Sequence, residues 1–249
     1  AKSGWRHMFM LIGFLALLWI IPWVMAFPSA LSSRPLAGNS EKPRRPAFGG
    51  ISFNRNLVGA SLGWLCYSYF GYMTMAWLPE YFVNVRHLTL LKAGVFSSLP
   101  FLVWAVSEPL GGWAADSMIR RGMDPTRVRK TVIAAAFVTG LLLIPAVWVT
   151  SVKAALVLIC ASSLVGIGTG NILAIFQTCA PPEQVGSWMG IGNFTGNIGG
   201  ILSPLVTGIL IGSTGSYFAG FALAPIVLLA GLACFLFIVG KLQPPPISL

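Results

Sequence analysis

Seven apolar runs divide the chain, at about 7–27, 57–83, 93–115, 131–150, 153–177, 186–211 and 217–240. A helix rising about 1.5 Å per residue crosses a ~30 Å hydrocarbon core with ~20 mostly apolar residues. Lipid offers no partner for backbone N–H and C=O groups, so an apolar run of that length must bond them internally, as a helix does. The pattern predicts an all-α, polytopic membrane protein with about seven transmembrane helices. The first run lacks a clear cleavage site and carries Trp19, Pro22 and Trp23 late, unlike a signal peptide. One long polar stretch, 28–56, is rich in Pro, Ser, Gly and Arg and reads as a flexible linker. It separates one helix from six. The expected organisation is a helical segment 1–27, a linker 28–56 and a six-helix unit 57–249.

Composition agrees with this reading: 56% of residues are hydrophobic and only 9% charged, too few charges to solvate a soluble domain of 249 residues. The net charge of +10 would point to nucleic acid only if it formed a basic face on a folded surface. Instead the basic residues lie in the gaps between runs, which excludes that partner. Alternate gaps hold eleven of them: Arg34, Lys42, Arg44, Arg45 and Arg55, then Arg120, Arg121, Arg127, Arg129 and Lys130, then Lys241. The opposite side holds five: Lys2, Arg6, Arg86, Lys92 and Lys153. Cytoplasmic loops carry the excess of Lys and Arg, so the C-terminus is expected in the cytoplasm of an inner-membrane protein, with the N-terminus outside. Cys66, Cys160, Cys179 and Cys234 lie in or at the ends of apolar runs without metal-ligand spacing. His7 and His87 are far apart. No Ser/His/Asp grouping, phosphate-binding loop or metal cluster is present, so neither an enzyme nor a cofactor is expected.

The polar residues inside or beside the runs carry the candidate chemistry. Gly111-Gly112-Trp113-Ala114-Ala115-Asp116-Ser117-Met118-Ile119-Arg120-Arg121-Gly122 closes the third run. Gly112 allows a neighbouring backbone to come close, Asp116 can face the positive end of a helix, and Arg120 stands at i+4 from Asp116, within pairing range. Glu108 lies eight residues earlier, ~12 Å deeper along a helix and near the bilayer midplane. A carboxylate there costs about 3 kcal/mol or more, so it is expected to face a cavity, carry a proton or bond a neighbouring helix. The sixth run has a ladder at four-residue steps, Gly192, Gly196, Gly200, then Pro204, Gly208 and Gly212, whose glycines favour close helix packing. Gly166, Gly168 and Gly170 read the same way. Asn193 and Asn197 share one face and need a polar partner, a helix or a wet cavity. Tyr69 and Tyr72 are expected on one face of the second run, where phenols offer an apolar plane and a hydrogen bond. Asn171 and Thr178 are expected to line the same cavity. Pro79, Pro100, Pro109, Pro145, Pro204 and Pro225 are candidate hinges.

These segments resemble the anion:cation symporter family of the major facilitator superfamily. The resemblance rests on Gly4-Trp5-Arg6 with Phe9, Gly13 and Trp19; on Tyr69, Tyr72 and Trp77-Leu78-Pro79; and on Ser98-Leu99-Pro100-Phe101, Gly112, Asp116 and Arg127-Val128-Arg129-Lys130. It continues through Ala180-Pro181, Gly186, Met189-Gly190, Asn193, Gly196-Asn197, Gly200, Pro204 and Gly208. It implies that 1–27 is the last helix of an N-terminal half and 57–249 the C-terminal half of a twelve-helix carrier, with the rest of the N-terminal half missing. It also implies transport of a small organic anion, a carboxylate or sugar acid, with protons or another ion, by alternating access. On that reading Gly112, Asp116, Arg120 and Arg121 form a gate latch against the missing half. Tyr72 and Asn193 face substrate; Tyr69 and Asn197 are further substrate-binding candidates from their own placement, and Glu108 is a proton-coupling candidate that the resemblance does not supply. Leu173 departs from the Trp of several sugar-acid carriers, which puts that specificity in doubt. A permease for a neutral or cationic solute, or a non-transporting receptor on the same fold, remains the alternative.

Overall fold

The computed structural model describes residues 5–26 and 53–243, and all regular structure among them is helical. The chain divides into two compact units, Ala1–Arg45 and Pro46–Leu249. In the first, α1 (Trp5–Leu17) and α2 (Ile20–Ala26) make one broken span. The break has a local cause. Pro22 cannot donate to the Leu18 carbonyl, and the Ile21 N–H takes that acceptor instead at 3.2 Å, tightening the turn. The expected linker falls largely on residues outside those described, but its end does not. Asn54 caps α3 by accepting from the N–H groups of Asn56 and Leu57, so the helix starts at Arg55, inside the stretch read as linker.

The second unit contains α3 (Arg55–Asn84), α4 (Leu90–Arg120), α5 (Pro125–Gly140), α6 (Leu143–Trp148) and α7 (Val152–Ser162). It continues with α8 (Thr169–Cys179), α9 (Val185–Thr214) and α10 (Tyr217–Ala233). A 3₁₀ segment, Ser163–Gly168, joins α7 to α8, and a π-turn, Cys234–Ile238, ends α10. Pro145 breaks the α5–α6 span by the same device as Pro22: the Ile144 N–H bonds the Leu141 carbonyl at 3.0 Å. Six helical spans among the described residues are long and apolar enough to cross a membrane. The span α3, expected as a seventh, is long enough at 30 residues but less apolar, because Trp, Tyr, Ser and Asn side chains replace aliphatic ones along it.

Those polar and aromatic side chains are what α3 packs with. It lies against α9 and α10, and the tightest approach is at Gly199, where a Cβ would stand 2.3 Å from the Leu65 carbonyl oxygen. The expected small-residue stripe supports this packing. Gly196 is covered by the Trp64 indole, Gly200 by the Tyr72 ring and Gly208 by Trp77, whose indole N–H donates to the Pro204 carbonyl at 3.2 Å. Gly166 likewise lets the 3₁₀ segment close onto α4, beside Trp104 and Ser107. Behind α3 runs an aromatic column: Trp64 stacks on Tyr67 (centroids 5.2 Å apart), Tyr67 on Phe137 (5.8 Å), and Phe137 meets Phe235 edge-on (5.8 Å).

Arg55 and Lys130, from two of the basic gaps, meet at one end of this bundle. Arg55 donates to the carbonyls of Ile238 and Phe237, and Lys130 to those of Leu236 and Val239, so two cations cap the C-terminal turn after α10. Asn56 adds bonds to Gly240 N–H and the Lys241 carbonyl. At the other end Arg86 joins Tyr81 to the carbonyls of Ala146 and Thr150, and Glu80 accepts from Asn84 and Tyr217.

Candidate functional site

Helices α3 and α4 line an open cavity of about 380 Å³. From α3 come Trp64, Ser68, Gly71 and Tyr72; from α4 come Phe101, Trp104 and Glu108. Two sequence candidates thus meet: Tyr72, 44% exposed, and the Glu108 carboxylate. The helix runs unbroken from Glu108 to Asp116, so the ~12 Å separation expected of eight helical residues holds. Among the described residues no Lys or Arg lines this cavity.

Tyr69 does not join them. It is 5% exposed and turned into the packing beside Thr207. At i and i+3 the two tyrosines share one side of α3, but only Tyr72 reaches the cavity, while Tyr69 lies at the buried edge of that side.

A second cavity of about 370 Å³ lies between α8, α9 and α3, lined by Leu173, Phe176, Met189, Asn193 and Trp64. Asn193 is exposed here, and Asn197 donates to both its backbone carbonyl (2.8 Å) and its side-chain oxygen (3.3 Å). The polar partner expected for these amides is, in part, each other. Trp64 lines both cavities. Sequence reasoning passed over it, as one aromatic among many in an apolar run; its place at a four-residue step behind Ser68 and Tyr72, facing the glycine stripe of α9, was the available signal. Tyr67, whose hydroxyl bonds the Thr169 hydroxyl, and Trp104 were missed for the same reason.

The Gly111–Gly122 block is helical almost to its end, with Arg121 as cap and Gly122 at φ +90°. Its ion pair differs from the expected one. Asp116 pairs with Arg129 of α5 at 3.0 Å, while Arg120 donates to Ser117. Arg129, 15% exposed, also donates to the Asn171 side-chain oxygen at 3.2 Å. Asn171, fully buried, bonds the Gly111 and Ile167 carbonyls at 3.2 Å each. It therefore ties α4, α5 and α8 together and lines neither cavity, and Thr178, on α8's exposed side, does not join it. A tertiary cation next to the carboxylate wins over the i+4 arginine because Arg129 can also satisfy a buried amide. Close approach is at Gly111, where a Cβ would stand 2.2 Å from the Ile167 carbonyl oxygen; Gly112 has open space. Among the described residues no group of His, Cys, Asp and Glu could hold a metal.

The model of the Major Facilitator Superfamily matches residues 1–204. The chain belongs to the Major Facilitator Superfamily. Its relatives include the "Uncharacterized transporter YybO" of Bacillus subtilis, 29% identical over 76% of this chain and 44% of the relative. The "Probable galactarate/D-glucarate transporter GarP" of Escherichia coli K12 is 27% identical over 96% of this chain and 59% of the relative. The "D-galactonate transporter" of Escherichia coli O6:H1 is 25% identical over 96% and 60%. The last two of these names are those of sugar-acid transporters. The chain spans about half the length of the curated relatives it matches. Among solved structures, a POT family transporter in complex with a thioalcohol-conjugated peptide aligns with TM-score 0.62 at 19% identity, covering 80% of this chain and 42% of that one. That likeness shows the fold.

Proposed function

We propose that this chain is part of a multi-pass secondary transporter that carries a small organic anion, a sugar acid or related carboxylate, together with protons by alternating access. Residues 57–249 form its C-terminal half and 1–27 the last helix of the N-terminal half. The carrying observation is the pair of polar-edged cavities on one side of α3, joined at Trp64, with Tyr72 and Glu108 in one and Asn193 in the other. The relatives' names support the anion. The cavities offer hydrogen bonds and aromatic planes but no cation, so the anionic group is met by residues of the other half. Glu108 is the proton-coupling group, Tyr72, Asn193 and Asn197 contact substrate, and Tyr69 shapes the wall behind Tyr72. The block from Gly112 through Asp116 to Arg120 and Arg121 braces the cytoplasmic gate through Arg129. The excess of Lys and Arg in alternate gaps of the sequence supports a cytoplasmic C-terminus in an inner membrane.

The test is uptake of a labelled sugar acid by the full-length protein in proteoliposomes under an imposed pH gradient. Concentrative uptake abolished by a proton ionophore supports the proposal; binding without accumulation favours a receptor. The lone carboxylate favours a second reading, a carrier of neutral or cationic solutes, which competition by amines but not by organic acids would reveal.

A further inference from the structure

The two cavities share a single lining side chain, that of Trp64. Trp64 is half-buried, and its indole forms part of the wall of both spaces. It is also held firmly. Its ring stacks on Tyr67 at 21° between planes. Tyr67 is in turn fixed by its bond to Thr169 and by stacking on Phe137. On the other side, Gly196 leaves room for the indole edge: a Cβ there would stand 2.4 Å from the Trp64 Nε1. Any residue larger than glycine at 196 would displace it. A rigid aromatic plane presented to two polar-edged cavities is a pre-organised platform, because little side-chain freedom is left to lose when a ligand stacks on it.

We infer that Trp64 is the specificity-determining platform for a chain-like, polyhydroxylated acid that lies across it, reaching Asn193 on one side and Glu108 with Tyr72 on the other. The C–H faces of such a chain stack on the indole, while its hydroxyls bond the amide and carboxyl groups at the two ends. An acid short enough to occupy one cavity gains little from the platform. The platform therefore selects for length. This inference rests on the transport reading above.

The test uses the full-length protein with Trp64→Phe and Trp64→Ala. It compares the half-saturating concentrations for a six-carbon sugar acid and a three-carbon hydroxy acid. Trp64→Ala is expected to raise the six-carbon value tenfold or more and the three-carbon value less than twofold, with Trp64→Phe between. Equal changes for the two acids in Trp64→Phe, or none, overturn the platform while leaving transport intact. A failure of Trp64→Ala to reach the membrane leaves the Phe variant to decide. No uptake of either acid by the unaltered protein overturns both the platform and the transport reading.

Discussion

Gly199→Ala adds one methyl group at the closest approach of α3 and α9. The new Cβ would stand 2.3 Å from the Leu65 carbonyl oxygen and 3.2 Å from both the Leu65 carbonyl carbon and the Tyr69 nitrogen. These are backbone atoms, so no rotamer change relieves the clash. Ordinary contact begins at 3.4 Å, and the helices must separate locally by about 1 Å. Separation loosens Trp64 over Gly196 and Tyr72 over Gly200, the contacts of the neighbouring stripe. Overpacking of this kind costs about 1–3 kcal/mol. Gly212→Ala is the matched control: it sits in the same helix, and its Cβ meets nothing within 4 Å. In an exposed helix position, Gly→Ala stabilises by ~1 kcal/mol through backbone entropy. Thermal inactivation of purified full-length protein in detergent reads both. Gly199→Ala should lose binding-competent protein faster than the parent, and Gly212→Ala no faster. Equal behaviour of the two variants would refute the close α3–α9 contact.

Two further predictions concern charge. Arg129→Ala removes the partner of Asp116 and leaves the buried Asn171 oxygen without its donor, an orphaning that costs about 1–3 kcal/mol. Arg120→Ala loses only an exposed bond to Ser117, an effect expected within about 0.5 kcal/mol; thermal stability of the two variants should rank them in that order, and the reverse ranking would restore the i+4 pair. Glu108→Gln keeps the shape of the cavity while removing the ionisable group. Uptake driven by a pH gradient should fall at least tenfold while substrate counterflow persists, and an unchanged pH dependence at normal expression would remove Glu108 from coupling.

The apolar runs marked every span of the bundle, but several helices outlast their runs. The third run stops at 115, whereas α4 winds on to Arg120, because Asp116, Ser117 and Arg120 are polar without being helix breakers. The glycine stripe was legible because four-residue steps in a helix define a face whatever packs on it. Which glycine was tightest was not: Gly199 lies off the stripe, and only the path of α3 singles it out. The ion pair escaped for the same reason. Asp116 and Arg120 are neighbours along the sequence, but Arg129 comes from the next helix, and its second bond, to Asn171, is a matter of tertiary geometry. Glu108 and Tyr72 could be proposed singly from depth and residue type. Their meeting in one cavity, with Trp64 between it and Asn193, depends on how α3 is rotated against α4 and α9.

The central claim is proton-coupled transport of a sugar acid through a site to which these helices contribute. It is tested most directly by reconstituting the full-length protein with an inward proton gradient and following labelled D-galactonate. The account predicts accumulation above the external concentration that collapses on adding a proton ionophore. Equilibration without accumulation, unaffected by the ionophore, would contradict it.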